Sequence, residues 1–292
     1  MRENNQLGEI TVIIDCNYIC YVNRFSLSQG LSYRGKNTEI IFGFLRHINE
    51  LARKFDTNKF IFCWDSRTSL RKEIYPAYKE NRRVDQTSED KELDQIAYQQ
   101  FNELKDTVLP RFSFKNIFYK DGYESDDIIA SIVKDIPNRY VVVASDNDLF
   151  QLLDYCTLYN ISTKTLTTKE DFERNHGISS RKWHLVKAIA GCSSDNVSGA
   201  KGVGEKTAIK YLNNELKTGV KFAVIQEMYF GDMFNRNIKL VKLPFENTGT
   251  FSVNNQDIFY EKDFMEICEQ YGMESFLAPK YFQSWIKSFN MK

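Results

Sequence analysis

Four short β-rich runs limit what this chain can fold into: ITVIID (10–15), KFIFCWD (59–65), NIFY (116–119) and YVVVASD (140–146). None alternates strictly between apolar and polar residues, which is the pattern of strands covered on both faces. Helical stripes lie between them. Ile40, Ile41, Phe44, Leu45, Ile48 and Leu51 form one, and Leu93, Ile96, Phe101, Leu104 and Val108 form another. Strands alternating with helices predict an α/β domain with a mostly parallel central sheet, of the doubly wound class. The β-rich runs thin out from about residue 166, so the sequence predicts an α/β domain over 1–170 and a mostly helical region over 171–292.

Acids fall at the ends of these runs. Asp15, Asp65 and Asp146 close three of them, and Glu124 follows the fourth. Open α/β sheets bind ligands at the carboxyl ends of their strands, where the strand order switches. These carboxylates are therefore predicted to converge on one patch. The stretch YESDDIIASIV (123–133) adds Asp126 and Asp127 beside Glu124 at a helix start. A helix N-terminus favours negative charge, but three acids so close repel unless something positive lies among them. Caps and turns account for any one acid, not for the joint pattern with Asp148 and Asp195. Carboxylate oxygens without His or Cys partners suit Mg²⁺, with Mn²⁺ as substitute. Two such ions roughly 3.5–4 Å apart activate a water and stabilise the leaving oxygen in phosphodiester hydrolysis.

Composition narrows the partners. Thirty-nine basic residues balance 39 acidic ones, which excludes a globally basic nucleic-acid binder. Charge is nevertheless sorted: Arg67, Arg71, Lys72, Lys79, Arg82 and Arg83 lie within 67–83 beside only two acids. Such a run beside an acidic pocket suggests a positive surface near a negative one. The six cysteines form no C-x-x-C pair, as expected of reduced thiols in a cytoplasm. The three histidines make no zinc motif. The polar start and the lack of a long apolar stretch predict neither a secretion signal nor a membrane anchor.

GAKGVGEKT (199–207) is not a phosphate-binding P-loop, because Glu205 rather than Lys follows Gly204. It reads instead as a helix-hairpin-helix type turn, over about 184–212. Gly202 and Gly204 let the backbone approach a phosphate, and Lys201, Lys206 and Lys210 add charge that reads no sequence.

Four segments carry a resemblance. LRKEIYPAYKENR (70–82), DGYESDD (121–127), SDNDLFQLL (145–153) and GCSSDNVSGAKGVGEKTA (191–208) resemble, in order, motifs of the flap endonuclease/5′–3′ exonuclease superfamily. The likeness is to the 5′-nuclease domain of bacterial DNA polymerase I and to free-standing phage enzymes. With no polymerase module following, the stand-alone form is expected. The resemblance implies a PIN-like fold, a helical arch over about 67–110 that passes a 5′ single strand, and a helix-hairpin-helix that holds duplex DNA, with a K⁺ ion on its loop carbonyls. It implies a first metal site from Asp15, Asp65, Glu124 and Asp126, and a second from Asp127, Asp146, Asp148 and Asp195. Lys79 would neutralise the scissile phosphate and Arg82 clamp it. Tyr78 would stack on an unpaired base, with Arg71 and Thr207 as further DNA contacts.

The chain departs from the family pattern at three places. Cys192 stands where the family has Asp, and a neutral thiol is a poor Mg²⁺ ligand, so a weakened second site is expected. Cys16 replaces a Gly, and Val22 replaces an Arg for which Arg24 is the nearby candidate. The expected function is a monomeric, cytoplasmic, Mg²⁺-dependent 5′ nuclease of a bacterial or phage-infected cell. It would act on flaps, nicks, junctions or RNA–DNA hybrids in replication or repair. The alternative is a catalytically weak junction-binding protein of the same fold. A toxin-like PIN-domain ribonuclease would share the acidic site but has no need of residues 191–208.

Overall fold

The computed structural model describes residues 9–26, 31–83, 87–254 and 256–292. A six-stranded sheet forms its centre. Its strands are β1 (Ile10–Asp15), β2 (Phe60–Trp64), β3 (Ile117–Tyr119), β4 (Arg139–Val143), β5 (Cys156–Asn160) and β6 (Thr165–Thr167). They run in the order β3-β2-β1-β4-β5-β6, all parallel except β6, which is antiparallel to β5. The order reverses direction between β1 and β4, and a crevice opens at such a switch point.

Alternate residues of β1 to β5 feed two separate cores, which is why the first four strands read as unbroken apolar runs. Val12, Ile14, Phe60, Phe62, Val141 and Val143 point to one face. Ile13, Ile61, Cys63, Tyr140 and Val142 point to the other. Helices α1 (Cys16–Ser26) and α2 (Glu39–Phe55) cover the first face. Helix α3 (Ser88–Glu103) joins them through Ala97 and Phe101, and its buried Gln100 accepts from Ile40 N at 3.0 Å. This docks the C-terminal half of the expected arch against the body. Residues 84–86, within that expected arch, lie outside the described residues.

The second face carries α4 (Ser125–Asp135), α5 (Trp183–Ala190), α6 (Glu205–Leu212), α7 (Val220–Tyr229) and α8 (Asp232–Val241). The C-terminal helices α9 (Glu261–Tyr271) and α10 (Pro279–Phe289) return to the first face. There Phe42 stacks on Phe276 at 4.7 Å between ring centroids, and Phe112 meets Trp285 at 5.5 Å. The hydrophobic cores therefore do not divide at residue 170. Residues beyond it are shared between both faces of the one sheet. Between α8 and α9 the chain passes the β3 edge at Asn254, where Asn116 and Asn254 exchange hydrogen bonds of 2.6 and 2.7 Å.

Candidate active site

Each acid at a strand end is held by short-range contacts that the local sequence supplies. Asp15 ends β1 and accepts from Tyr18 N at 3.2 Å, one turn into α1. Asp65 follows β2. Ser125, at the start of α4, reaches both: its N–H donates to Asp65 at 2.7 Å and its hydroxyl to Asp15 at 3.3 Å. Asp126 follows Ser125 in the same first turn. Asp146, beyond β4, accepts from Asp148 N at 2.7 Å and so caps the short helical turn Asn147–Leu152.

These groups line a cleft of about 480 Å³ at the carboxyl end of the sheet, with Asp15, Asp65, Glu124, Asp126 and Asp146 on its wall. Burial first, and Asp65 second, push the Asp15 carboxyl up to about 8. Burial, then Asp146, Asp15 and Asp65, raises Asp126 well above the usual carboxylate range, and burial and Glu124 raise Asp65. Asp126 Oδ1 is buried with no hydrogen-bond partner. Mutually repelling carboxylates and an orphaned buried oxygen fit an oxygen-liganded divalent cation.

Glu124 behaves differently. Burial alone would raise its pKa, but Lys79 and Arg71 outweigh that and lower it. Lys79 Nζ lies 2.8 Å from Glu124 Oε2 and 3.9 Å from Asp195 Oδ1. Lys79 takes a left-handed backbone at φ 56°, a conformation a non-glycine residue holds only when its surroundings impose it. Those surroundings are the loop 193–196. Lys79 N donates to Asp195 O at 2.9 Å, Asn81 to Ser193 O at 2.8 Å, Arg82 Nε to Ser194 O at 3.1 Å, and Asn196 to Ala77 O at 2.8 Å. Arg82 Nη2 adds an ion pair to Asp195 at 2.8 Å. Both basic groups thus stand on the cleft wall.

Three expectations are corrected. Asp127 is fully buried and grips the Arg71 guanidinium with contacts of 2.6 and 2.8 Å, while Phe245 N donates to it at 2.8 Å. Its lone pairs are spent, so it is no ligand of the cleft. Arg71 is only 2% exposed, bonded also to Leu240 O at 2.8 Å and set over the Phe245 ring, so it is no DNA contact. Tyr78, also 2% exposed, gives its hydroxyl to Glu124 and Asp195 and has no free face for a base. The E-x-D-D acids split because adjacent helical residues point about 100° apart: Asp126 faces the cleft, Asp127 the core.

Lys187, Cys192 and Ser194 line the cleft, whereas Asp148 and Asp195, both buried, are not among its lining side chains. One ligand atom each from Asp148, Cys192 and Asp195 falls within 4.8 Å of the others. Lys187 Nζ sits 3.2 Å from Asp148 Oδ1, and Cys192 Sγ 3.0 Å from Ser194 Oγ. Burial raises the Cys192 thiol above its usual value and keeps it neutral. Arg24 pairs with Asp94 on α3 and is not on the cleft wall.

Lys187, Tyr18 and Tyr21 also line the cleft, and no motif in the sequence points to them. Lys187 carried a usable signal as the one ordinary charge in the apolar helix WHLVKAIA. The two tyrosines follow Asp15 at helical spacing. Farther along, Lys201, Gly202, Gly204 and Lys206 are exposed and Thr207 half-buried at the turn into α6. Gly202 has φ 71°, and at Gly199 an added Cβ would stand 2.1 Å from Ala190 C.

Residues 10–177 match the 5′–3′ exonuclease N-terminal resolvase-like domain. DNA polymerase I of Deinococcus radiodurans is 32% identical over 205 residues, 69% of this chain and 20% of that protein. The chain thus spans about a fifth of the length of that relative. A 5′–3′ exonuclease of Buchnera aphidicola subsp. Schizaphis graminum is 28% identical over 242 residues, 81% of this chain and 77% of that one. A structure of the T5 5′-exonuclease with divalent metal ions (zinc) bound superposes with a TM-score of 0.67 at 24% identity, covering 81% of this chain and 90% of that one. The fold is therefore the one that enzyme has, and the chain belongs to the 5′–3′ exonuclease family through its N-terminal resolvase-like domain.

Proposed function

We propose that this chain is a divalent-metal-dependent, structure-specific 5′ nuclease. Its substrates on this reading are DNA with 5′ flaps, nicks or single-strand/duplex junctions, and RNA–DNA hybrids at primers. The observation that carries it is the set of cleft carboxylates, Asp15, Asp65, Asp126 and Asp146, which repel one another around the unpartnered Asp126 Oδ1. These residues would hold the ion, Mg²⁺ by the hardness of its donors with Mn²⁺ in its place. When bound, it supplies an activated water and neutralises phosphate charge.

The side chains do the rest. Lys79 and Arg82 lie on the cleft wall and meet the negative charge that builds on the phosphate. Ser125 fixes the Asp15 and Asp65 carboxylates, so the donors need not reorganise on binding. The exposed Lys201 and Lys206, with the turn around Gly202 and Gly204, hold the duplex through its backbone. A K⁺ ion on the carbonyls of that turn belongs to the same reading.

End-labelled flap, nicked-duplex and RNA–DNA hybrid substrates test this with and without Mg²⁺. Cleavage near the junction that requires Mg²⁺ and vanishes in Asp146→Ala is the expected result. Tight flap binding without turnover would favour the second reading, a junction-binding protein, which the neutral Cys192 supports.

A further inference from the structure

Among the described residues, Asp148, Cys192 and Asp195 are the one group of three His, Cys, Asp or Glu side chains whose ligating atoms converge. Backbone structure holds all three in place. Cys192 and Asp195 belong to one tight hairpin, in which Cys192 pairs with Val197 and Asp195 ends the turn Ser193–Asp195. Asp148 lies in the helical turn Asn147–Leu152. Trp183 Nε1 anchors that turn by donating to Asn147 O at 2.7 Å, and Gln151 anchors it by donating to Val241 O at 3.0 Å.

Each of the three has a donor to spare. Asp148 is 8% exposed, and its Oδ1 has no hydrogen-bond partner among the described residues. Lys187 Nζ stands 3.2 Å from that oxygen as a counter-charge, outside hydrogen-bonding geometry. Asp195 accepts from Arg82 on Oδ1 and from Tyr78 on Oδ2, which leaves each oxygen a second lone pair. Cys192 Sγ meets the Ser194 hydroxyl at 3.0 Å, and both residues line the cleft, so an ion in the cleft reaches the sulfur.

One sulfur and two carboxylates are the wrong donors for Mg²⁺, which wants six oxygens in an octahedron. They suit Zn²⁺ or Co²⁺, which accept thiolate and stand above Mn²⁺ in affinity for mixed donor sets. Charge agrees with this. A thiolate and two carboxylates carry three negative charges, and a divalent ion with Lys187 and Arg82 offsets them to within one unit.

We propose that Asp148, Cys192 and Asp195 bind a thiophilic divalent ion, Zn²⁺ or Co²⁺, in preference to Mg²⁺. On binding, the Cys192 S–H bond breaks, its proton passes to solvent and the sulfur lone pair coordinates the ion. This goes beyond the nuclease reading, which concerns a hard ion at Asp15, Asp65, Asp126 and Asp146.

Titration of the DNA-free full chain with Co²⁺ tests the site, because a sulfur ligand gives an intense thiolate-to-cobalt absorption in the near ultraviolet. The wild type is expected to develop that absorption, to lose it to equimolar Zn²⁺ and to keep it in excess Mg²⁺. Cys192→Ser and Cys192→Asp are each expected to lose it. Asp148→Asn is expected to need about tenfold more Co²⁺ or beyond, the scale on which metal sites weaken when even a supporting group is removed. Near-ultraviolet circular dichroism of the metal-free variants confirms that each is folded. No absorption in the wild type, or one that persists in both Cys192 variants, would overturn the inference. So would displacement by Mg²⁺, or an unchanged Co²⁺ affinity in Asp148→Asn. Mg²⁺-dependent flap cleavage, measured alongside, keeps the two readings apart. Cleavage without the cobalt absorption overturns this inference alone, and the absorption without cleavage overturns the nuclease reading alone.

Discussion

Asp126 and Asp127 are neighbours in the chain with opposite duties. Asp126 adds to a group of like charges and is destabilising until a cation arrives, whereas Asp127 neutralises a buried Arg71. Asp126→Asn is therefore expected to raise the Tm of the metal-free protein while abolishing cleavage. Asp127→Asn leaves a guanidinium short of its counter-charge in the core and should lower stability by about 3–5 kcal/mol. Thermal melts in chelator separate the two, and melts of equal sign would refute the assignment. The same repulsion has a pH signature. The folded-state pKa of Asp15 is raised from 3.8 to about 8, so the folded chain binds this proton more tightly than the unfolded one. The stability it lends is complete below the unfolded value and is lost as pH rises through the folded one. Metal-free protein should thus melt at progressively lower temperature as pH rises from about 4 to about 8, and added Mg²⁺ should restore most at the upper end. A Tm that climbs over that range in chelator would contradict the reading.

At the level of elements, the residues that place the chemistry are joined across long stretches of sequence. The segment 77–82 and the loop 193–196 form one unit through backbone and side-chain hydrogen bonds, and it is this unit that holds Lys79 and Arg82 on the cleft wall. The loop in turn depends on the antiparallel pairing of the short strands Gly191–Cys192 and Val197–Ser198. Gly199 fits there because a Cβ would overlap Ala190 backbone, while Gly202 lies in open space and needs only its left-handed φ. Gly202→Ala should cost about 1–2 kcal/mol of backbone strain. Gly199→Ala should lose more, and with it both cleavage and duplex affinity, because backbone must move. Chemical denaturation of the two variants checks the order.

Across the whole molecule, the C-terminal helices complete the core begun by the first strand. Trp285, Phe289 and Phe264 lie in the same cluster as Val12, Phe60 and Phe112. A chain ended at residue 170 would uncover that face and also remove α5 and α8 from the other. We expect such a fragment to lack a cooperative urea transition, whereas residues 1–292 unfold in one. A fragment that unfolds cooperatively would restore the two-domain division. Among the described residues, no helix is long and apolar enough to cross a membrane.

Much of this was legible in the residues themselves. The first four strands, the stripe of α2 and the acids at strand ends follow from local hydrophobic periodicity and from where the apolar runs stop, whereas of the second stripe Phe101, Leu104 and Val108 are buried and Leu93 is exposed. Strand β5 and the edge strand β6 were missed because CTLYN and TLT mix polar with apolar residues and are partly exposed, which leaves little pattern to read. Sequence alone determined that carboxylates gather where strands end, since strand direction and alternation are local properties. Only the tertiary structure decided which of them face the cleft, because rotation about a helix axis and the position of a distant cation decide it. Asp127 was claimed by Arg71 from 56 residues away and Asp148 by Lys187, and no local pattern records pairings that exist only once the chain is packed.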